Sequence, residues 1–179
     1  MKKFFGIGMR TFKTALCVCV CLLIYELLSL LGNMFEGGSV YSFFKTAVLD
    51  GSPSFACIAA VICMQDNIER SKKIALSRVI GSVVGGAAAV VFLSVSEKIM
   101  SGKLYIVFAA VGVILIIIVC NYLKNPISVS ISVITFLIVF VGTDVGAPVY
   151  FALNRVVGTL IGAFAALFIN RFVSPPEKE

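Results

Sequence analysis

The sequence contains no histidine, and charged residues make up only 13% of its 179 positions. The first absence removes the commonest general base and the commonest metal ligand. Ser-His, Cys-His and His-metal sites go with it. Acids are scarce, nine Asp and Glu in all, and no two stand at a spacing suited to paired acid–base work. An enzyme is therefore not expected, nor a cofactor or a metal. The shortage of charge excludes an ordinary soluble domain, in which about a quarter of residues are charged. In its place stand 60% hydrophobic residues and a mean hydropathy of +1.07. Such a chain satisfies its surface with lipid. Its net charge of +6 could point to nucleic acid on a soluble protein, but the basic residues fall between apolar runs. Orientation in a bilayer explains them more simply, so the expected partners are lipid and no nucleic acid.

Cysteine is present six times, as Cys17, Cys19, Cys21, Cys57, Cys63 and Cys120, always in or beside an apolar run. On a helix only Cys17 and Cys21 of the first three share a face. Small buried hydrophobes are the simplest reading; no disulfide framework follows. The basic start and apolar run up to Leu31 resemble a signal peptide, but the run from Ala15 is too long for a typical one and no small-x-small site closes it. A retained first helix is expected.

Hydropathy divides the chain into six helices within a single transmembrane domain, residues 1–179, at about 11–31, 47–65, 76–95, 104–121, 126–142 and 149–173. The second is the weakest: its apolar core, Phe55 to Met64, is half the roughly twenty residues that a span needs. It must be short, interior-facing, or extended backwards through Phe43 and Phe44. The fourth is the most apolar and is expected to face lipid. Lysine and arginine divide eleven to four between alternate sides, together the 15 in the chain. The positive-inside rule then places both termini in the cytoplasm and supports an even number of crossings. The expected fold class is an all-α integral membrane protein, a six-transmembrane-helix bundle with an inverted 3+3 repeat, in the plasma membrane.

The repeat rests on one helix pair. Leu76-Ser77-Arg78-Val79-Ile80-Gly81-Ser82-Val83-Val84-Gly85 reads against Leu153-Asn154-Arg155-Val156-Val157-Gly158-Thr159-Leu160-Ile161-Gly162. Helices three spans apart cross in opposite directions, which is the plan of many secondary transporters. Helices 1 and 2 match helices 4 and 5 poorly, and two Gly/Ala-rich helices can be alike by chance. Each copy carries Gly-x-x-x-Gly, Gly81 with Gly85 and Gly158 with Gly162, the spacing that lets backbones approach in lipid. These are packing seams and not phosphate loops, since no strand precedes them.

Arg78 and Arg155 stand one turn before those seams, near opposite mouths of a common path if the repeat is inverted. Arginine stays charged and offers a planar fork suited to carboxylates. Arg78, Arg155 and the adjoining Asn154 are therefore the candidate substrate-binding residues, set against plain interfacial anchoring. Glu26, inside the first apolar run, is the candidate for proton coupling; an acid at membrane depth usually faces protein or water. Arg10 and Lys13 share a face at the inner boundary, where they gather anions or touch lipid headgroups. Asn121, Asn125, Asn154 and Asn170 lie near helix ends, as caps do.

Gly8 to Leu16, Phe55 to Gln65, the two Arg-x-x-Gly segments and the closing Asn170-Arg171-Phe172-Val173-Ser174-Pro175-Pro176 together resemble the aromatic acid exporter family, which belongs with the fusaric-acid-resistance-like membrane proteins. The resemblance covers nearly the whole chain. It implies six transmembrane helices, homodimeric assembly and efflux of aromatic or other small organic carboxylates. The plant malate channels, similar in plan, have pore-lining arginines at positions that Arg78 and Arg155 match. Members usually continue into a cytoplasmic helical domain, and no soluble C-terminal domain is expected here; a short member, a half-size subunit and a truncated piece all fit. An exporter of small organic anions is the leading expectation, with a passive anion channel of the same architecture and a non-transporting scaffold or sensor as rivals.

Overall fold

The computed structural model describes residues 9–34, 53–99, 104–123, 125–142 and 148–173, with backbone only for 9, 32–34, 96–99, 104–105 and 148. They form α1 (Met9–Met34), α2 (Ser54–Cys63), α3 (Ile68–Ile99), α4 (Leu104–Tyr122), α5 (Pro126–Gly142) and α6 (Pro148–Val173). No strand occurs among the described residues. Lys2, Lys3, Lys45, Lys103, Lys124, Lys178, the expected 47–52 start of the second helix and the final Ser174-Pro175-Pro176 lie outside them.

Local chemistry explains the boundaries. α3 starts at Ile68 and not at 76, because Asn67 caps it: its Oδ1 accepts the Glu69 N–H at 3.0 Å. Glu69 also suits the positive end of the helix dipole and pairs with Lys72 at 3.2 Å. This turn is polar, so hydropathy passes over it although the backbone is helical. α2 is short, with one face buried and Ile58, Val61 and Ile62 exposed on the other. Its ten residues rise about 15 Å, half of a hydrocarbon core about 30 Å thick, and Ala56, Ala59, Ala60 and Cys63 are buried.

Three helices, Arg10–Leu31, Ile68–Val95 and Val149–Val173, are long and apolar enough to cross a membrane. The outer surface agrees. Leu22, Leu23 and Leu27 of α1, Ile106, Ile114 and Ile118 of α4, and Phe164, Phe168 and Phe172 of α6 all stand exposed, far more apolar surface than a soluble monomer carries.

The core has two parts, the first joining helices from both ends of the chain and the second helices from its middle. One packs Cys17, Cys21 and Tyr25 of α1 and Ala56, Ala60 and Cys63 of α2 against Ala163, Ala166 and Ile169 of α6. The other packs Ala89 and Leu93 of α3 against Ile116 and Cys120 of α4 and Phe136, Val139 and Phe140 of α5. The first is built of small residues, so its helices approach closely. The second is filled by rings: Phe136 stacks on Phe140 at 5.2 Å and meets Phe92 edge-on at 5.6 Å.

Contacts fix the helix directions. Gly81 faces Ser128 and Ile131, and Gly85 faces Ser132 and Thr135, so α3 and α5 run parallel. Gly158 faces Phe55 and Ala56, and Gly162 faces Ala56 and Ala59, so α2 and α6 run parallel. Ser82 meets Thr159 at 3.2 Å while Gly86 faces Ala152, so α3 and α6 are antiparallel. Lys13 Nζ donates to Asn170 Oδ1 at 3.3 Å, which brings the start of α1 to the end of α6.

Candidate functional site

The antiparallel crossing of α3 and α6 organises the interior polar groups. Ser82 and Thr159 hydroxyls bond at its centre. Arg78 lies one turn before Ser82 and Arg155 one turn before Thr159, about 6 Å to either side. Arg78 is ten residues into α3 and Arg155 seven into α6.

Arg155 is buried. Its Nε donates to Thr135 Oγ1 at 3.4 Å, and its Cζ lies 4.4 Å from the centre of the Phe55 ring. Phe55 meets Phe151 edge-on at 6.4 Å. The Nη1 of Arg155 is buried with no partner, and so are the Nε of Arg78 and the hydroxyl of Tyr25. Among the described residues neither arginine forms an ion pair with an acid. The ion pairs among the described residues are Arg10–Asp66 and Lys72–Glu69. Removing a buried guanidinium from water without pairing it is expensive, on the order of several kcal/mol, and arginine cannot escape by losing its proton. Each arginine therefore holds a buried donor nitrogen without a hydrogen-bond partner.

The other expected site residues fall elsewhere. Asn154 is buried beside Arg155 and already engaged in contacts of its own. Glu26 stands exposed on the outer face of α1, between Leu23 and Leu27. Arg10 is exposed and meets Asp66 at 3.7 Å, while its neighbour Lys13 is buried. Lys13 belongs to a polar cluster in which Asn170 Nδ2 donates to the Ser71 hydroxyl at 2.9 Å and to the Gln65 carbonyl at 3.1 Å. Asn170 therefore fastens α6 to α1 and to the α2–α3 turn rather than capping its own helix. All four seam glycines lie where helices touch. A Cβ at Gly85 would run into the Ser132 carbonyl, and one at Gly162 into the Ala56 carbonyl.

Sequence reasoning passed over Tyr25, Phe55, Thr135 and the Ser82–Thr159 pair. A signal existed for some. Ser128, Ser132 and Thr135 recur at helical spacing on an otherwise apolar α5 and are all buried; a polar stripe on such a helix points inward. Ser82 and Thr159 occupy the same place in the two similar segments. No local pattern marks Tyr25 or Phe55. A cavity of about 230 Å³ between α3 and α4, lined by Val91, Phe92, Val95, Phe108 and Val111, is wholly apolar and distant from these groups in sequence and chemistry. Among the described residues no group of His, Cys, Asp and Glu could hold a metal ion.

No curated protein and no solved structure matches the chain. The family described as fusaric acid resistance protein-like matches residues 20–169, the stretch that holds the glycine seams and both arginines. Together with the spanning-length helices this identifies a membrane protein with a transport or resistance role, and the chain belongs to the fusaric acid resistance protein-like family.

Proposed function

We propose that this protein exports small organic carboxylate anions, aromatic ones among them, across the plasma membrane, as a transporter or a transporter subunit. The observation that carries the reading is the pair of arginines at the α3–α6 crossing, with buried nitrogens left without partners and no acid paired to either among the described residues. The family description names resistance to fusaric acid, itself an organic carboxylic acid.

All six helices cross the bilayer in this reading, the short ones in the interior or beside thinner lipid, and the chain is an inverted 3+3 repeat. The packing supports it. α3 on α5 corresponds to α6 on α2, and each third helix lies in the core of the other half. The Ser82–Thr159 bond joins residues 77 apart, the offset of the two similar segments, as expected on a two-fold axis between repeats. The position that corresponds to Thr135 in α2 is Ala59, since both face the second glycine of a seam. Alanine has no hydroxyl to offer Arg78, which is why its Nε is bare when that of Arg155 is not. A homodimer with both termini in the cytoplasm completes the proposal, and Glu26 is its candidate proton-coupling carboxylate.

The test is flux of radiolabelled organic anions in proteoliposomes, comparing the intact protein with the Arg78→Ala, Arg155→Ala double variant. Flux that the double variant loses while remaining folded supports the path; unchanged flux refutes it. Uphill export that collapses with the proton gradient, and in Glu26→Gln, identifies a coupled transporter. Purely downhill flux identifies a channel.

A further inference from the structure

Of the three buried hydroxyls on α5, two serve the backbone. Ser128 Oγ donates to the Ser77 carbonyl and Ser132 Oγ to the Ser128 carbonyl, each at 2.9 Å. The third, Thr135, is fully buried and its Oγ1 accepts from Arg155 Nε at 3.4 Å. A second helix acts on the same side chain. Phe55 reaches from α2 to α6, where the Arg155 Cζ lies 4.4 Å from the centre of its ring. Phe151, one turn before Arg155, meets that ring edge-on at 6.4 Å. A cation is drawn to an aromatic face, more strongly where water is excluded, and Arg155 is buried. Thr135 thus holds the guanidinium at Nε and Phe55 supports it at Cζ, from two helices other than its own. Neither contact takes up an Nη donor, and Nη1 has no partner.

Arg78 is the contrast. Its Nε is buried and bare, and Ala59 stands where the repeat would need a hydroxyl. Among the described residues, the ion pairs and the cation–ring contact belong to other side chains. The two cations of one path are therefore held differently: Arg155 is clamped and Arg78 is not.

We propose that Thr135 and Phe55 are positioning residues for Arg155, which they make the arginine whose fork orients the carboxylate, while Arg78 contributes its charge alone. The inference rests on the anion path proposed above and adds to it a division of roles. Arginine can give Nε to the scaffold and Nη to a ligand at once. Lysine carries a single nitrogen and has no fork to divide. A donor already held in place also loses less freedom when a ligand arrives. Exchange to lysine keeps the charge and removes the fork, so it separates the two roles.

The experiment measures benzoate flux by the whole chain in proteoliposomes, as KM and maximal flux, with the melting temperature of each variant read alongside. Arg155→Lys is expected to raise the benzoate KM about tenfold or more, the loss of a hydrogen bond to a charged group. Arg78→Lys is expected to leave it within about twofold, because the charge is kept. Thr135→Val and Phe55→Leu are expected to raise the KM about three- to tenfold, since the fork is no longer held. Thr135→Ser and Phe55→Tyr are expected to keep the wild-type KM. The threonine pair separates positioning from packing: valine keeps the shape and loses the hydroxyl, and serine keeps the hydroxyl and loses a packed methyl. In an Arg155→Lys background Thr135→Val is expected to raise the KM no further, because it acts through the arginine. Equal KM changes in the two lysine variants, a wild-type KM in Thr135→Val, or effects of Thr135→Val and Arg155→Lys that multiply would each overturn the positioning. The path still stands in those cases if the Arg78→Ala, Arg155→Ala double variant is folded and inactive. Full flux in that double variant fails the path, and the positioning with it. A folded wild-type protein that moves no benzoate overturns the proposal as well.

Discussion

Adjacent glycines on α3 offer an internally controlled perturbation, because Gly85 and Gly86 face different helices. A Cβ at Gly85 would strike the Ser132 carbonyl and approach both the Ser132 carbonyl carbon and Thr135 Cβ to 3.0 Å. Two of these atoms are backbone, so no rotamer change relieves the clash and α3 must move away from α5. Overpacking of this kind costs about 1–3 kcal/mol. Separation also strains the bonds across the same face, Ser77 Oγ to Asn125 Oδ1 at 3.1 Å and Ser128 Oγ to the Ser77 carbonyl at 2.9 Å. Interhelical bonds in membranes contribute about 0.6 kcal/mol each. Exchanging glycine for alanine within a helix returns about 0.5–1 kcal/mol. Gly85→Ala is therefore expected to destabilise by about 2 kcal/mol. At Gly86 the added Cβ would rest 3.4 Å from Ala152 Cβ, an ordinary contact, so Gly86→Ala keeps only the gain in helix propensity and is neutral or stabilising by up to about 1 kcal/mol. The assay is equilibrium unfolding of the purified protein in mixed micelles, followed by far-UV circular dichroism, for the wild type and both variants. Equal stabilities for the two variants, or a more stable Gly85→Ala, would refute the assigned α3–α5 seam.

Thr135→Val removes the hydroxyl that accepts from Arg155 Nε without changing shape much; unfolding measurements are expected to find a loss of about 1–3 kcal/mol, because a buried charged donor is stranded. Asn170→Leu breaks the bonds to Lys13, Ser71 and Gln65 at once and is expected to lower stability by at least about 2 kcal/mol, with proteolysis between α2 and α3 accelerated. Arg10→Gln opens an ion pair whose side chains are 56% and 77% exposed. The same unfolding assay is expected to find a change below about 0.5 kcal/mol, since surface pairs contribute little.

Much of the fold is written locally in the sequence. Apolar runs separated by polar turns are sufficient to mark six helices, because hydropathy is summed over neighbours along one segment. The Gly-x-x-x-Gly spacing likewise marks a face that another helix approaches. The N-terminal turns of α3 escaped because Asn67 and Glu69 build helix by capping and charge, which hydropathy does not register. For the site, the sequence singled out Arg78 and Arg155 because permanent cations inside apolar helices are costly. It misread Asn170, whose place near a helix end suggests a cap although it bonds to three other segments.

By itself, then, the sequence determined the membrane class, the helical segments, the glycine seams and the cations that need an explanation, all properties of a stretch of chain and its neighbours. Only the tertiary structure decided which helix each seam meets: α5 for Gly81 and Gly85, α2 for Gly158 and Gly162. It alone brought Tyr25 from the first helix and Phe55 from the second to Gly158 in the last. Partner choice depends on how whole helix faces fit, so residues far apart in sequence share one buried volume that no local pattern encodes.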